Sequence, residues 1–231
     1  SAQTAIYSGK DIFHPIYAAN GMVATQEETA TRIGLDILKS GGNAVDAGVA
    51  IGFALAVTLP RAGNLGGGGF MIIHSADKNA TVALDFREMA PAKAFRDMYL
   101  DENGNAVSQR SRFTYLAVGV PGTVAGLALA AERYGTLPLA DLIAPAIELA
   151  DAGIIVSEDL SSSLKARQKR LQKWPESAKI FYKNSSIPYE VGETLVQKDL
   201  ATSLTQIAEK GAKAFYEGDI AQKIAADMAA N

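Results

Sequence analysis

The chain has 231 residues, 48% of them hydrophobic, a formal net charge of −3 and no cysteine. That length and composition suit one large domain, or part of a larger protein, with ample apolar material for a core. Interspersed charges without a basic run or an aromatic-interleaved patch argue against nucleic acid as a partner. The lack of cysteine excludes a thiol nucleophile, thiolate metal sites and a disulfide framework within the chain.

Ser1 to Ala5 has neither the basic start nor the apolar stretch of a secretory signal, and reads as an end left by processing or by cloning. Thr25-Gln26-Glu27-Glu28 has the form of a capping box. It opens a helix with the apolar stripe Ala30, Ile33, Ile37 and Leu38, closed by Gly41-Gly42. Asn43 then reads as the N-cap of a second helix over 44–58, with Asp46 in its first turn. That helix is apolar on all sides, which predicts burial. Gly48, Gly52 and Ala56 give it one small face for close approach, and Pro60 stops it. The run is too short, and carries Asp46, so it reads as a core helix and not a membrane span.

Residues 62–70, Ala-Gly-Asn-Leu-Gly-Gly-Gly-Gly-Phe, come next. Phe70 to His74 reads as a buried strand, 76–79 as a turn, and Thr81 to Phe86 as a second strand, so 70–86 is predicted to be a hairpin with Arg87 at its exit. Asp101 to Asn105 reads as another turn. Val118 to Thr123 leads into a helix over 124–134 closed by Gly135, and 139–152 reads as a helix kinked or divided by Pro145. Ser157 caps a basic amphipathic helix to about Lys173, 179–183 reads as a short strand, and helices over 198–209 and 219–229 complete the chain.

Four consecutive glycines persist only where the backbone takes positive φ or lies against another group. A phosphate loop is disfavoured because the order here is helix, glycines, strand, the reverse of the nucleotide-binding arrangements. A close crossing of the buried helix and the hairpin, or a glycine wall lining a cleft, both fit. Arg87 can grip a carboxylate with two parallel hydrogen bonds, or form an ordinary ion pair with Asp85 or Glu88. His14 and His74 stand apart with no acidic cluster at ligand spacing, so no metal site is predicted and both read as structural. Asp101 to Asn105 resembles the start of a calcium loop, but Arg112 stands where the closing glutamate is required. The cluster from Lys165 to Lys173 reads as a solvated helix face. Ser1 could in principle use its own amine as base, but no strand pattern follows to hold it.

Four motifs occur together: 41–47 (Gly-Gly-Asn-Ala-Val-Asp-Ala), 62–70, 85–91 (Asp-Phe-Arg-Glu-Met-Ala-Pro) and 119–126 (Gly-Val-Pro-Gly-Thr-Val-Ala-Gly). In order and spacing they closely resemble the γ-glutamyltranspeptidases (glutathione hydrolases), over Phe13 to the last residue. The resemblance implies an α+β chain of the N-terminal nucleophile hydrolase class, an αββα sandwich of which this chain holds the N-terminal part. Residues 1–12 form an N-terminal extension and 13–231 the N-terminal portion of the large subunit. It further implies a self-cleaving precursor and a small subunit whose first residue, a threonine outside this chain, carries the γ-glutamyl group of glutathione as an acyl-enzyme. Water or an amino-acid or peptide acceptor then removes that group. No catalytic residue, metal or cofactor is expected in this chain. The family's arginine for the substrate α-carboxylate falls on Arg87, with Asp85 on the same strand parity, and the family's glycine run falls on 66–69. A periplasmic or secreted location is expected. Two alternatives stay open: an amidohydrolase like the cephalosporin acylases of the same superfamily, and a non-catalytic module binding an acidic ligand.

Overall fold

The computed structural model describes residues 17–231; the expectations for Ser1, for His14 and for an N-terminal extension over 1–12 lie outside that range. Among the described residues the chain is α+β, with helices dominating. Helices α1 (Glu28–Lys39) and α2 (Ala44–Thr58) precede a hairpin of β1 (Phe70–Ser75) and β2 (Ala80–Asp85). After the short α3 (Arg110–Phe113) come α4 (Thr123–Tyr134), α5 (Leu139–Ala152), β3 (Ile154–Ile155) and α6 (Glu158–Leu171). The remainder holds α7 (Pro175–Phe181), β4 (Tyr182–Lys183), β5 (Ile187–Pro188), β6 (Thr194–Leu195), α8 (Lys198–Lys210), α9 (Lys213–Tyr216) and α10 (Asp219–Ala230). The strands form three antiparallel pairs, β1–β2, β3–β6 and β4–β5.

Helix α2 is the axis of the core. Val49, Phe53 and Val57 are fully buried, each worth about 1.5–3 kcal/mol of transfer free energy. Its neighbours approach where side chains are small. Gly34 of α1 sits against Ile51, and a Cβ there would lie 2.4 Å from Ile51 Cδ1; Gly52 meets Leu127 of α4, and Gly48 faces Met71 of β1. The small face read from the sequence therefore receives the hairpin and α4. Helix α5 closes the other side and α8 packs on α5, with Leu142, Ile143, Ala146, Leu204 and Ile207 fully buried. Gln197, leading into α8, is buried and donates from Nε2 to Val57 O (3.0 Å) and from its backbone to Ala150 O (2.9 Å).

The junction of α2 with the α4–α5 turn is polar and partly buried, with the Asp46 side chain itself fully buried. Asn43 caps α2 by accepting from the Val45 and Asp46 amides, as expected from the sequence, and Asp46 accepts in return from the Asn43 amide, which completes a reciprocal box. Asp46 also accepts from the Thr136 hydroxyl (2.6 Å) and from the Thr136 and Leu137 amides. Burial pushes its carboxyl pKa up, but these donors outweigh that effect and hold it below the ordinary value.

Several expectations are corrected. The N-cap of α1 is Glu27, whose carboxylate accepts from the Thr29 and Ala30 amides. Thr25 instead bonds Thr31 Oγ1 and the Glu27 carbonyl. Residues 175–181 are helical, with proline at the first turn, and the strand is confined to Tyr182–Lys183. Helix α5 runs through Pro145 undivided. Strand β1 is buried on one side only: Met71 and Ile73 face the helices, whereas Phe70 and Ile72 are 64% and 76% exposed.

Candidate functional site

The hairpin pairs Phe70 with Asp85, Ile72 with Ala83 and His74 with Thr81, all on the outward face. His74 Nδ1 lies 3.0 Å from Thr81 Oγ1, a cross-strand pair that accounts for this histidine structurally. The ladder continues one residue further: Phe86 N donates to Gly69 O (3.0 Å) and Gly69 N to Phe86 O (3.3 Å). Strand parity then turns Phe86 inward and carries Arg87 onto the outward face with Asp85.

The glycine run is a backbone crossing. None of residues 66–69 has positive φ, and close approach is what selects glycine at Gly68, while Gly66 is not crowded. A Cβ on Gly68 would lie 2.6 Å from Phe86 O and 2.7 Å from Glu88 N. Gly67 O accepts from the amides of Gly122 (2.8 Å) and Thr123 (3.0 Å), which open α4. From the other side, a Cβ on Gly122 would lie 1.9 Å from Phe86 O, and one on Gly126 2.1 Å from Phe86 Cγ. Beyond this, Met89 and Val120 exchange both backbone hydrogen bonds (3.1 and 2.8 Å). Residues 86–89 are thus clamped between the glycine run and the 119–126 turn, two of the motifs singled out in the sequence. The crossing expected between α2 and the hairpin is made instead by the hairpin exit and the first turn of α4.

Arg87 is 67% exposed. Its Nε donates to Glu88 Oε2 at 3.0 Å, the ordinary ion pair that the sequence left open. Asp85 does not hold the guanidinium; its Oδ1 accepts from the Arg87 amide (3.0 Å) and so fixes the backbone. The Glu88 carboxyl pKa is lowered, first by its own amide, then by the Arg87 hydrogen bond. An exposed ion pair of this kind is worth little, about 0–1 kcal/mol, so an incoming carboxylate can replace Glu88 at the guanidinium at small cost. Nearby in the chain Met89 is 72% exposed, and Val118 and Val120 are also open to solvent.

Other candidates fall away as sites. Asp101 accepts from the Asn103 and Asn105 amides (2.9 and 2.8 Å), which makes it a turn residue. On α6, Lys165 pairs with Glu190 and the Arg170 guanidinium lies 4.9 Å from the Phe113 ring centroid, while Arg167 and Lys169 are exposed. No local pattern points to Tyr216: its hydroxyl donates to Pro121 O (2.9 Å) and accepts from Ala125 N (3.2 Å), across a separation of more than ninety residues.

The γ-glutamyltranspeptidase family model matches residues 30–231. The chain is 53% identical over 222 residues to the glutathione hydrolase proenzyme of Escherichia coli (strain K12), covering 96% of this chain and 38% of that protein. Its structure is similar to that of the Helicobacter pylori γ-glutamyltranspeptidase, with a TM-score of 0.91 and 49% identity over 94% of this chain and 62% of that one. It is also similar to a cephalosporin acylase from Bacillus halodurans, with a TM-score of 0.82 and 31% identity over 98% of this chain and 42% of that one. The chain thus spans less than two thirds of the length of each of these relatives. With its four motifs gathered around the hairpin exit and α2, and with a family match across nearly all the described residues, this chain belongs to the γ-glutamyltranspeptidase family.

Proposed function

We propose that the chain is the N-terminal portion of the large subunit of a γ-glutamyltransferase, or glutathione hydrolase, with the αββα architecture of the N-terminal nucleophile hydrolases. In this reading a threonine outside the chain attacks the γ-glutamyl amide of glutathione. The C–N bond breaks, the leaving amine takes the proton, and water or an acceptor amine resolves the ester. The part played by this chain is recognition: Arg87 binds the donor's α-carboxylate. The observation that carries the proposal is the placement of an exposed guanidinium, weakly engaged by Glu88, on a backbone segment clamped from both sides. A rigid mount of this kind favours binding without an ordering cost.

Arg87→Ala in the complete protein is expected to raise KM for glutathione at least roughly 30-fold, as expected when one partner of a desolvated charge pair is removed. An unchanged donor KM would take Arg87 out of the site. The likeness to a cephalosporin acylase over 98% of the chain supports a second reading, with a glutaryl-cephalosporin as substrate. Comparing kcat/KM for glutathione and for that substrate decides between them. We further propose a periplasmic or secreted location, from the family resemblance, to be tested by cell fractionation.

A further inference from the structure

We infer that Tyr216 is a positioning residue for Arg87, acting at a distance through the first turn of α4; the inference rests on the reading of Arg87 as the donor-binding group. Helix α4 begins at Gly122, which has no side chain to cap the first-turn amides. Two acceptors from elsewhere in the chain do that work. Gly67 O takes the amides of Gly122 and Thr123, and the Tyr216 hydroxyl takes that of Ala125. The same hydroxyl donates to Pro121 O, so a single group ties both ends of the Pro121–Ala125 turn.

That turn touches the Arg87 segment backbone against backbone. Gly122 leaves no room for a Cβ beside Phe86 O, and Val120 pairs with Met89. Contacts of this kind have no side-chain rotamer to absorb a shift. A turn displaced by a few tenths of an ångström therefore displaces residues 86–89 with it, and with them the root of the arginine. The tyrosine is itself well anchored. Its ring meets Phe215 edge-on, with centroids 5.0 Å apart and planes at 70°, and Phe215 is buried in the core beside α8.

Tyr216→Phe keeps the ring and removes both hydrogen bonds. In the complete protein we expect the donor KM to rise roughly 3–10-fold with kcat unchanged, the range set by the loss of one or two modest hydrogen bonds. In an Arg87→Ala background the same change should add less than roughly twofold, because the residue it positions is gone. Hydrogen exchange at the Phe86 and Met89 amides, both bonded within the clamp, should quicken at least roughly threefold while α8 stays as protected as before. A purely structural tyrosine would lower Tm and leave the KM and the 86–89 amides as they were, and that result overturns the inference. So does a KM penalty that persists in full without Arg87. If Arg87→Ala alone leaves donor KM unchanged, the binding role of Arg87 fails instead, and the exchange rates at 86–89 still decide whether Tyr216 holds the segment.

Discussion

Asp46 offers the sharpest test of what holds the molecule together. Its carboxylate is fully buried, and the ion pairs among the described residues do not include it. Its charge is balanced by the first turn of α2 and by four donors: the Asn43, Thr136 and Leu137 amides and the Thr136 hydroxyl. A hydrogen bond to a charged acceptor is worth about 1.5–3 kcal/mol net, but four donors sharing one carboxylate do not add. Truncation also leaves three backbone amides of a part-buried junction without their acceptor. We expect Asp46→Ala to cost about 3–5 kcal/mol in urea unfolding followed by circular dichroism at neutral pH. Asp46→Asn, which keeps the volume but turns an amide nitrogen toward donors, should cost about 1–3 kcal/mol. The pH dependence follows from the lowered folded-state pKa. The contribution is fully present above the unfolded value of 3.8 and is lost as pH falls through the folded one. The stability gap between wild type and Asp46→Asn should therefore be flat from neutral pH to about 5 and close only below about 4. An Asp46→Ala protein within about 0.5 kcal/mol of wild type, or a gap that narrows on raising the pH, would refute this account.

The glycine run makes a paired prediction. Gly68→Ala drives a Cβ into two backbone atoms, Phe86 O and Glu88 N, and should cost about 1–3 kcal/mol in the same unfolding assay and raise donor KM. Gly66→Ala, whose nearest contact is Asn64 Oδ1 at an ordinary 3.4 Å, should be close to neutral in both. Equal effects at the two positions would contradict the crossing. In the core, Leu204→Ala on α8 should lose about 2–5 kcal/mol with donor KM unchanged, since Leu204 is fully buried away from the hairpin exit.

Local chemistry was legible in the sequence. The Asn43 cap and all-round apolarity of α2 and the Ser157 cap of α6 each act within a few residues, and each stands as read. Errors came where two local choices are nearly equivalent. Thr25 and Glu27 both offer an oxygen to the start of α1, and the longer side chain reaches the amides. Ile180-Phe181-Tyr182 is an apolar run that suits strand or helix; Pro175 and Glu176 upstream start a helix that runs through Phe181, and Tyr182 begins β4. Phe70 to Ile73 is apolar on both parities, which reads as two-sided burial, yet the described residues cover only the side facing α2. The site divides in the same way. Arg87 was visible by motif resemblance, but the sequence does not show that the Asp85 carboxylate takes the Arg87 amide while the guanidinium goes to Glu88. Tyr216 was invisible because its partners are more than ninety residues away.

The central position of α2 also constrains how the chain can be made. A helix apolar around its whole circumference cannot rest half-covered in water, and its covering comes from α1 just before it and from α4 and α5 well after it, with Gln197 ahead of α8 bonded to its last turn. The bond from Gln197 to Val57 spans 140 residues. At synthesis rates of about 5–20 residues per second, α2 would leave the ribosome on the order of ten seconds before α5 and Gln197 are in place against it. Over that interval its apolar surface needs a chaperone or a temporary collapse onto α1 and α4. Slow translation between α2 and α8 should thus lower the yield of folded protein, whereas slowing the segment after α8 should leave it unchanged.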